Sequence, residues 1–596
     1  MENTEIAAVL SQVGTLLEIQ GANPFRIRAY ENASRTVAEH PVPLRGLVAD
    51  GADLKELPGI GKDMAGYIKE LVETGRLHVL EELTREIPAT LLELMRLPGV
   101  GPKKARKLWK ELGVETLEQL EAAARAGRVE ELEGFGQKTQ TRILEAIASR
   151  RQQAVRFRLS EAEQIIAPLV AHLRSYAGAR HVEVAGSYRR RQETVGDIDI
   201  LVIADEPDPV IAHFTAYPRV RSVEAAGGTR ATVILEAGLQ VDLRVLPEES
   251  YGAALLYFTG SKAHNVKLRK RSLALGLSIS EYGAARVESG EAEAPGERRT
   301  GPLVAGATED EMYAAVGLPL IPPELPEDRG EIEAAEAGAL PRLITLPDIR
   351  GDLQMHSTWS DGTLTVAQML DACAERGYEY CAMTDHSKTL AMVRGLDAQR
   401  LAEQWQEMDE VTAGRTDIRL LRSMEIDILR DGSLDLEDEL LERLDLVVVS
   451  IHTLLDLREA EETRRIVTAL EHPGVHVLAH PTGRLINRRS PMAFDLEEVL
   501  QCAAEHGVAV ELNAQPDRLD LRDTQVARAR ELGVTVVIST DAHHARELDF
   551  MRFGVEQARR AWLEPRHVLN TLPLEQLLAA LKPGASPPAR KKGKTR

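Results

Sequence analysis

Two aspartates one residue apart, in Val195-Gly-Asp-Ile-Asp-Ile-Leu-Val202, follow a Gly186-Ser187 pair and three consecutive arginines, Arg189 to Arg191. In an extended strand residues i and i+2 share a face, so Asp197 and Asp199 point one way while Ile198, Ile200 and Val202 point into a core. A second alternating run, Leu239-Gln-Val-Asp-Leu-Arg-Val-Leu246, turns Leu239, Val241, Leu243 and Val245 inward and leaves Asp242 and Arg244 on the polar face. If the two strands are neighbours, three carboxylates converge. Such a trio repels itself and favours hard divalent cations, and two cations roughly 3.5–4 Å apart can clamp the attacking and leaving oxygens of a phosphoryl displacement. Gly186-Ser187 would open a helix toward a triphosphate, with Arg190 adding positive charge. The plainer alternative is a solvated strand whose aspartates pair with the arginines.

A second set of ligand-type residues fills the other half of the chain, where ten of sixteen histidines follow residue 345. Seven apolar runs separated by helical segments lie there: Ile349 to Met355, Tyr380 to Met383, Leu420 to Ile428, Leu446 to Ser450, Val475 to Leu478, Val508 to Leu512 and Val534 to Ser539. That alternation predicts βα units around a parallel sheet or barrel. Nearly every run ends in a potential metal ligand: His356 with Asp361, Asp385-His386, Glu425, His452, His480, Glu511 with Asn513, and Asp541 with His543 and His544. A barrel gathers strand C-termini on one face, so these side chains would meet despite their separation. Single histidines such as His472 and His476 are more simply surface or satisfied core residues.

The first 150 residues read as short helices broken by glycine turns. Leu57-Pro-Gly-Ile-Gly61 and Leu97-Pro-Gly-Val-Gly101 repeat one turn, each opening a helix with lysine close behind. Backbone N–H groups at such a turn can hold a phosphate without reading a base, through Gly59, Gly61, Gly99, Gly101 and the nearby Lys103. The pair resembles helix-hairpin-helix motifs, and Glu133-Gly-Phe-Gly136 is a degenerate third copy.

At 596 residues the chain needs several domains, and 43% hydrophobic content gives each a core. No stretch approaches a membrane span, and the acidic start is unlike a signal peptide, which makes a cytoplasmic protein the expectation. Three cysteines without a CxxC pair fit a reducing compartment. The net charge of −20 argues against indiscriminate coating of nucleic acid. Local basic clusters therefore matter, at Pro102 to Lys107, Arg189 to Arg191 and Lys267 to Arg271. The reading is a multi-domain α+β and α/β protein. It comprises helical domains at 1–80 and 81–150, a mixed region at 151–320, a Pro/Glu/Ala/Gly-rich linker at 321–346, a metal-binding α/β domain at 347–578, and a disordered basic tail at 579–596.

With the Gly-Ser motif, Gly196-Asp-Ile-Asp199, Val241-Asp-Leu-Arg244 and Tyr257-Phe-Thr-Gly-Ser261 followed by Asn265 and Arg269, residues 5–320 resemble the family X DNA polymerases. The resemblance implies a nucleotidyltransferase palm at 151–248 and a nucleotide-selecting thumb at 249–320. Asp197, Asp199 and Asp242 would be catalytic and hold Mg2+ or Mn2+. Gly186, Ser187, Arg190 and Gly196 would touch the triphosphate, Tyr257 and Gly260 the sugar, and Asn265 the minor-groove edge of the incoming base. Arg269 would meet the template strand, Arg244 the DNA, and the hairpin turns DNA with a monovalent cation. Relatives with lyase activity carry a Schiff-base lysine after the first hairpin; Tyr67 stands there and Asp63 replaces the supporting lysine, which argues against that route.

Residues 347–578 resemble the PHP (polymerase and histidinol phosphatase) domain, a distorted seven-stranded barrel. The ligands carry over to His356, Asp361, His386, Glu425, His452, His480, Asp541 and His543, holding two or three ions of Mn2+, Zn2+ or Fe2+. The family opens with Asp-x-His-x-His, whereas this chain has Asp352-Leu-Gln-Met-His356, so Gln354 offers an amide oxygen in place of an imidazole. Together the resemblances imply a gap-filling polymerase of base excision repair. Its barrel would be a 3′–5′ exonuclease, with abasic-site cleavage open, and the chain would act as a monomer on gapped or primer–template DNA with dNTPs. The rivals are a nucleotidyltransferase acting on RNA or a small molecule, and a DNA-binding scaffold with an inactive barrel.

Overall fold

A computed structural model describes residues 3–39, 44, 48, 54–57, 60–88, 90–95, 97, 100–132, 134–153, 156–287 and 300–582. Gly59, Gly99, Glu133 and the tail from 583 lie outside the described residues. The chain divides into two compact units, Met1–Val155 and Arg156–Arg596.

The first unit is helical. Its main helices are Asn3–Gln20, Pro24–Glu39, Lys62–Thr74, His78–Glu86, Pro102–Leu112, Leu117–Arg125 and Gly136–Gln153. Apolar residues at helical spacing, among them Leu10, Leu17, Tyr30, Ile68, Leu71, Leu108, Leu120 and Ile143, bury into one continuous cluster. The two hairpin segments expected as separate domains therefore share a core. Gly61 and Gly101 cap the helices that follow them with extended backbone and no side-chain partner, leaving first-turn N–H groups unbonded within the helix.

The second unit contains two short strands, β1 (Phe157–Arg158) and β3 (Thr194–Val195), paired with each other. Its palm sheet is formed by β2 (His181–Val184), β4 (Asp197–Ile203), β5 (Val220–Gly227), β6 (Arg230–Leu235) and β7 (Gln240–Leu246), in the order β2-β4-β7-β6-β5. Ile198, Ile200, Val202, Val241, Leu243 and Val245 pack on one side of it, as their alternation predicts. Leu201 and Ile203 pack on the other side against helix Tyr251–Thr259. A three-stranded antiparallel sheet, β8 (Leu277–Ser280), β9 (Gly283–Val287) and β10 (Thr300–Ala305), follows.

The last seven strands are β11 (Gly351–Met355), β12 (Tyr380–Met383), β13 (Arg419–Asp427), β14 (Leu446–Ser450), β15 (Val477–Leu478), β16 (Ala509–Asn513) and β17 (Val536–Ser539). They are all parallel and lie in sequence order, and a bridge from Met355 to Ala542 brings the two ends together. Leu353, Tyr380, Ala382, Leu421, Val448, Val477 and Val537 fill the interior below the strand ends and pack on Leu577 and Leu581. The barrel core thus extends to residue 581, three positions into the segment expected as tail.

The segment 321–346 is more than a tether. Its apolar side chains Ile321, Leu325, Ile332 and Leu343 pack with Met312, Tyr313 and Val316, and Glu331 meets the buried His264 Nδ1 at 2.5 Å. A Pro- and Glu-rich composition concealed enough apolar residues to anchor it. Palm and barrel also share a core, since Ile486, Leu519 and Phe553 of the barrel sit among palm residues. Around that joint Arg484 holds Glu193 (2.7 Å), Arg552 holds Glu163 (2.5 Å), and the buried Arg560 reaches Glu327 (3.2 Å) and Asp523 (2.7 Å).

Candidate functional site

β4 and β7 run parallel and adjacent, with Asp199 directly opposite Asp242 and Asp197 opposite Gln240. The three carboxylates expected to converge do so at the start of these strands. Asp242 accepts from Thr232 Oγ1 (2.5 Å) and Gln240 Nε2 (2.7 Å), which fixes its rotamer. Burial, and then the charges of Asp197 and Asp242, push the Asp199 carboxyl up to about 7. Burial and Asp242 likewise raise Asp197. Acids grouped on one sheet face, with Asp197 and Asp199 raised by their neighbours' charge despite Arg156, Arg190 and Arg244, suit a divalent cation.

Gly186 starts a single helical turn, Gly186–Arg189, with φ of +64°. A Cβ there would lie 2.4 Å from Asp199 Oδ2, so only glycine lets the turn close over the aspartate. Ser187 is on that turn, and Gly196 precedes β4. The three arginines do not act together as a phosphate cluster. Arg189 forks onto Glu309 at 2.7 Å, and Arg191 pairs with Glu163 (3.2 Å) and Glu556 (3.5 Å). Arg190 is the one whose charge reaches Asp197 and Asp199, yet it bonds Glu327 (2.9 Å) and the Thr259 carbonyl (2.6 Å). The run of like charge concealed four acidic partners, three of them more than a hundred residues away.

Asn265 donates to the carbonyls of Tyr257 (2.7 Å) and Gly260 (3.2 Å), while its buried Oδ1 has no partner among the described residues. Arg269 lies over the Tyr257 ring (5.1 Å) and Arg244 over Phe258 (5.4 Å). In the first unit Tyr67 stacks on Tyr30 at 5.9 Å, so no amine occupies that position; Lys62, Lys69 and Lys103 are polar surface or partly exposed residues.

In the barrel, His356, Asp361, His386 and His543 offer ligand atoms within 4.8 Å of one another, as do His386, Glu425 and His452, and His356, Glu425 and Asp541. His480 Nε2 completes the set at 2.8 Å from Glu425 Oε1. His356 Nδ1, His386 Nδ1, His480 Nδ1 and Glu425 Oε2 are buried without a hydrogen-bond partner among the described residues. Buried polar atoms left open in one place fit metal ions, and the linked groups suit two or more. Both amide atoms of buried Gln354 are unpartnered too.

The neighbouring carboxylates hold His386 up to about 9 and His543 up to about 10. Asp361 and Asp541 are held well below the usual carboxylate range, by the histidines around them. Asp427 accepts from His452 N (3.1 Å) and pairs with its Nδ1 (3.0 Å), and Asp385 accepts from Ser357 N (2.9 Å) and Gln404 (2.6 Å). Glu511, buried beside Asp541 and raised well above its ordinary value, binds His480 N at 2.6 Å. Sequence reasoning counted Asp385 and Glu511 among the potential ligands at the strand ends but missed Asp427; its position two residues after Glu425, on the same strand, was the available signal.

Sequence models of known families match five segments: a helix-hairpin-helix domain (1–77), a SAM-like helix-hairpin-helix tandem (91–149), DNA polymerase beta palm (156–218), DNA polymerase beta thumb (254–327) and a PHP domain (352–515). The DNA polymerase/3′-5′ exonuclease PolX of Bacillus subtilis (strain 168) is 40% identical over 585 residues, covering 98% of this chain and 100% of that protein. The chain belongs to the family X DNA polymerases that carry a PHP domain. A probable phosphatase of Syntrophotalea carbinolica is 27% identical over 232 residues, 37% of this chain and 90% of its own. Within this family X chain the palm aspartates and the barrel's His, Asp and Glu clusters are separate candidate sites, in domains that share a core. No helix among the described residues is long and apolar enough to cross a membrane.

Proposed function

We propose that this protein is a template-directed, gap-filling DNA polymerase acting in base excision repair, with a 3′–5′ exonuclease in its PHP barrel. The observation that carries the polymerase is the register of Asp199 against Asp242 with Asp197 alongside, under the glycine turn at 186. Asp197, Asp199 and Asp242 would hold Mg2+ or Mn2+, ions that neutralise triphosphate charge and ready the primer hydroxyl. Ser187 and the backbone of the Gly186 turn would bind phosphate oxygens, and Arg190 would exchange Glu327 for them. Tyr257 and Gly260 would flank the sugar. Asn265, held by two carbonyls, would present its free oxygen to the base edge. Gly61, Gly101 and Lys103 would grip the DNA backbone without reading sequence.

In the barrel the eight ligands expected from sequence would hold Mn2+, Zn2+ or Fe2+, which supply Lewis acidity toward a phosphodiester. Asp427 would orient His452 through the ring nitrogen turned away from the cluster. The B. subtilis relative's name and the convergence of those ligands support the exonuclease.

The test uses the full chain on gapped DNA with one dNTP and Mg2+ or Mn2+. Asp197→Ala with Asp242→Ala should abolish extension and spare 3′ degradation, and His386→Ala with Asp541→Ala should do the reverse. Templated extension surviving the first pair would overturn the polymerase assignment, and nuclease surviving the second would overturn the barrel's.

A further inference from the structure

Arg518 combines two features: none of its guanidinium donors is hydrogen-bonded among the described residues, and it lies next to the barrel's ligand cluster. It lies on the loop after β16, with Nε 3.7 Å from Asp541 Oδ2, too far for a hydrogen bond. Among the described residues nothing accepts a hydrogen bond from its guanidinium, although its side chain is only 21% exposed. Arg484, by contrast, is committed to both oxygens of Glu193 and to the Leu519 carbonyl, and Arg489 donates to the Gly483 carbonyl at 2.7 Å. A planar group with five donors, mostly desolvated and left unbonded, is set up for a bidentate acceptor from outside.

The acceptor it fits is a phosphate. Asp541 Oδ1 is 3.1 Å from His356 Nε2, and Asn513 Nδ2 donates to Oδ2 at 3.1 Å, so the carboxylate is occupied on the cluster side and Arg518 stands beside it. The loop is rigidly placed. Leu519 is buried in the palm core, Arg518 N donates to the Gln515 carbonyl (2.9 Å), and Gln515 Nε2 donates to the Asp541 carbonyl (2.9 Å). The guanidinium is therefore positioned against the ligand cluster before any substrate arrives.

We propose that Arg518 binds the phosphodiester of the DNA strand presented to the barrel's metal-ligand cluster, an inference that rests on the exonuclease reading of that site. The identity of its neighbours decides between a strand and a purely structural role. A structural arginine closes its donors on carbonyls and carboxylates, as Arg465 does on Ile428, Leu429 and Thr453. Arg518 does not.

The experiment measures 3′ degradation of a single-stranded oligonucleotide by the full chain carrying Arg518→Ala or Arg518→Lys, with metal content read by mass spectrometry. Arg518→Ala should raise KM for DNA roughly 10–100-fold with a smaller effect on kcat, as expected for one charge-assisted bidentate contact. The dependence of log kcat/KM on log salt should flatten by about 0.7, the value for one lost phosphate contact on a single strand. Added guanidinium should restore activity in Arg518→Ala, and Arg518→Lys should recover only part of the affinity. Bound metal and gap filling should match the parent protein. An unchanged KM and salt slope would overturn the proposal, and so would loss of bound metal in Arg518→Ala. If His386→Ala with Asp541→Ala leaves degradation intact, the exonuclease reading itself has failed, an outcome separate from either.

Discussion

Glu556 lies on helix Met551–Arg560 at the joint between barrel and palm, and its replacement by glutamine tests whether that joint is a true core. Its side chain is 16% exposed, Oε1 is 3.5 Å from Arg191 Nε, and Oε2 is buried without a partner among the described residues. Burial pushes its carboxyl from an ordinary 4.5 up to about 7, against the opposing pull of Arg191. Between those two values the folded protein keeps a proton that the unfolded chain has released, so stability falls as pH rises through this window and the loss is complete above it. At about 1.4 kcal/mol per pH unit, the rise amounts to roughly 3 kcal/mol. A glutamine amide at this position does not titrate. The stability of Glu556→Gln relative to the parent should therefore increase by about 3 kcal/mol between pH values of roughly 4.5 and 8, while other titrating groups cancel in the difference. Denaturant unfolding followed by tryptophan fluorescence reads mainly this unit, because Trp359, Trp405 and Trp562 lie in it and only Trp109 lies in the first. A difference that stays flat across that range would refute the reasoning, since it would mean that water reaches the carboxylate.

Two other outcomes rest on particular contacts. Gly186→Ala places a Cβ 2.4 Å from Asp199 Oδ2 on a backbone at φ +64°, and should lower nucleotide incorporation at least ~100-fold while leaving 3′ degradation unchanged. Single-turnover extension and oligonucleotide degradation on the same preparation check this. Asp427→Asn weakens the hold on His452 Nδ1, now at 3.0 Å, and should reduce barrel metal affinity about 10–100-fold, as read by metal titration, with extension untouched.

Much of both centres was legible without coordinates because strand periodicity is a local property. Asp197 and Asp199 had to share a face once Ile198 and Ile200 were core, and the seven apolar runs match β11 to β17 closely because strands of a parallel barrel are buried on both sides. A ligand at the end of each run then had to reach the same rim. Long-range partners were not legible. The Arg189 to Arg191 run read as one basic cluster, yet its members meet Glu309, Glu327, Glu163 and Glu556, and residues 321–346 read as a linker although Ile321, Leu325 and Ile332 are core.

The amino-acid sequence by itself determined which side chains carry chemistry and which strand faces display them, because alternation and turn residues act over a few neighbouring positions. Only the tertiary structure decided which charges are neutralised and which remain available. Arg484 and Arg518 have the same side chain on neighbouring loops, and one is closed on Glu193 while the other keeps its donors open. That difference arises from desolvation and pairing between segments hundreds of residues apart, which no local pattern encodes.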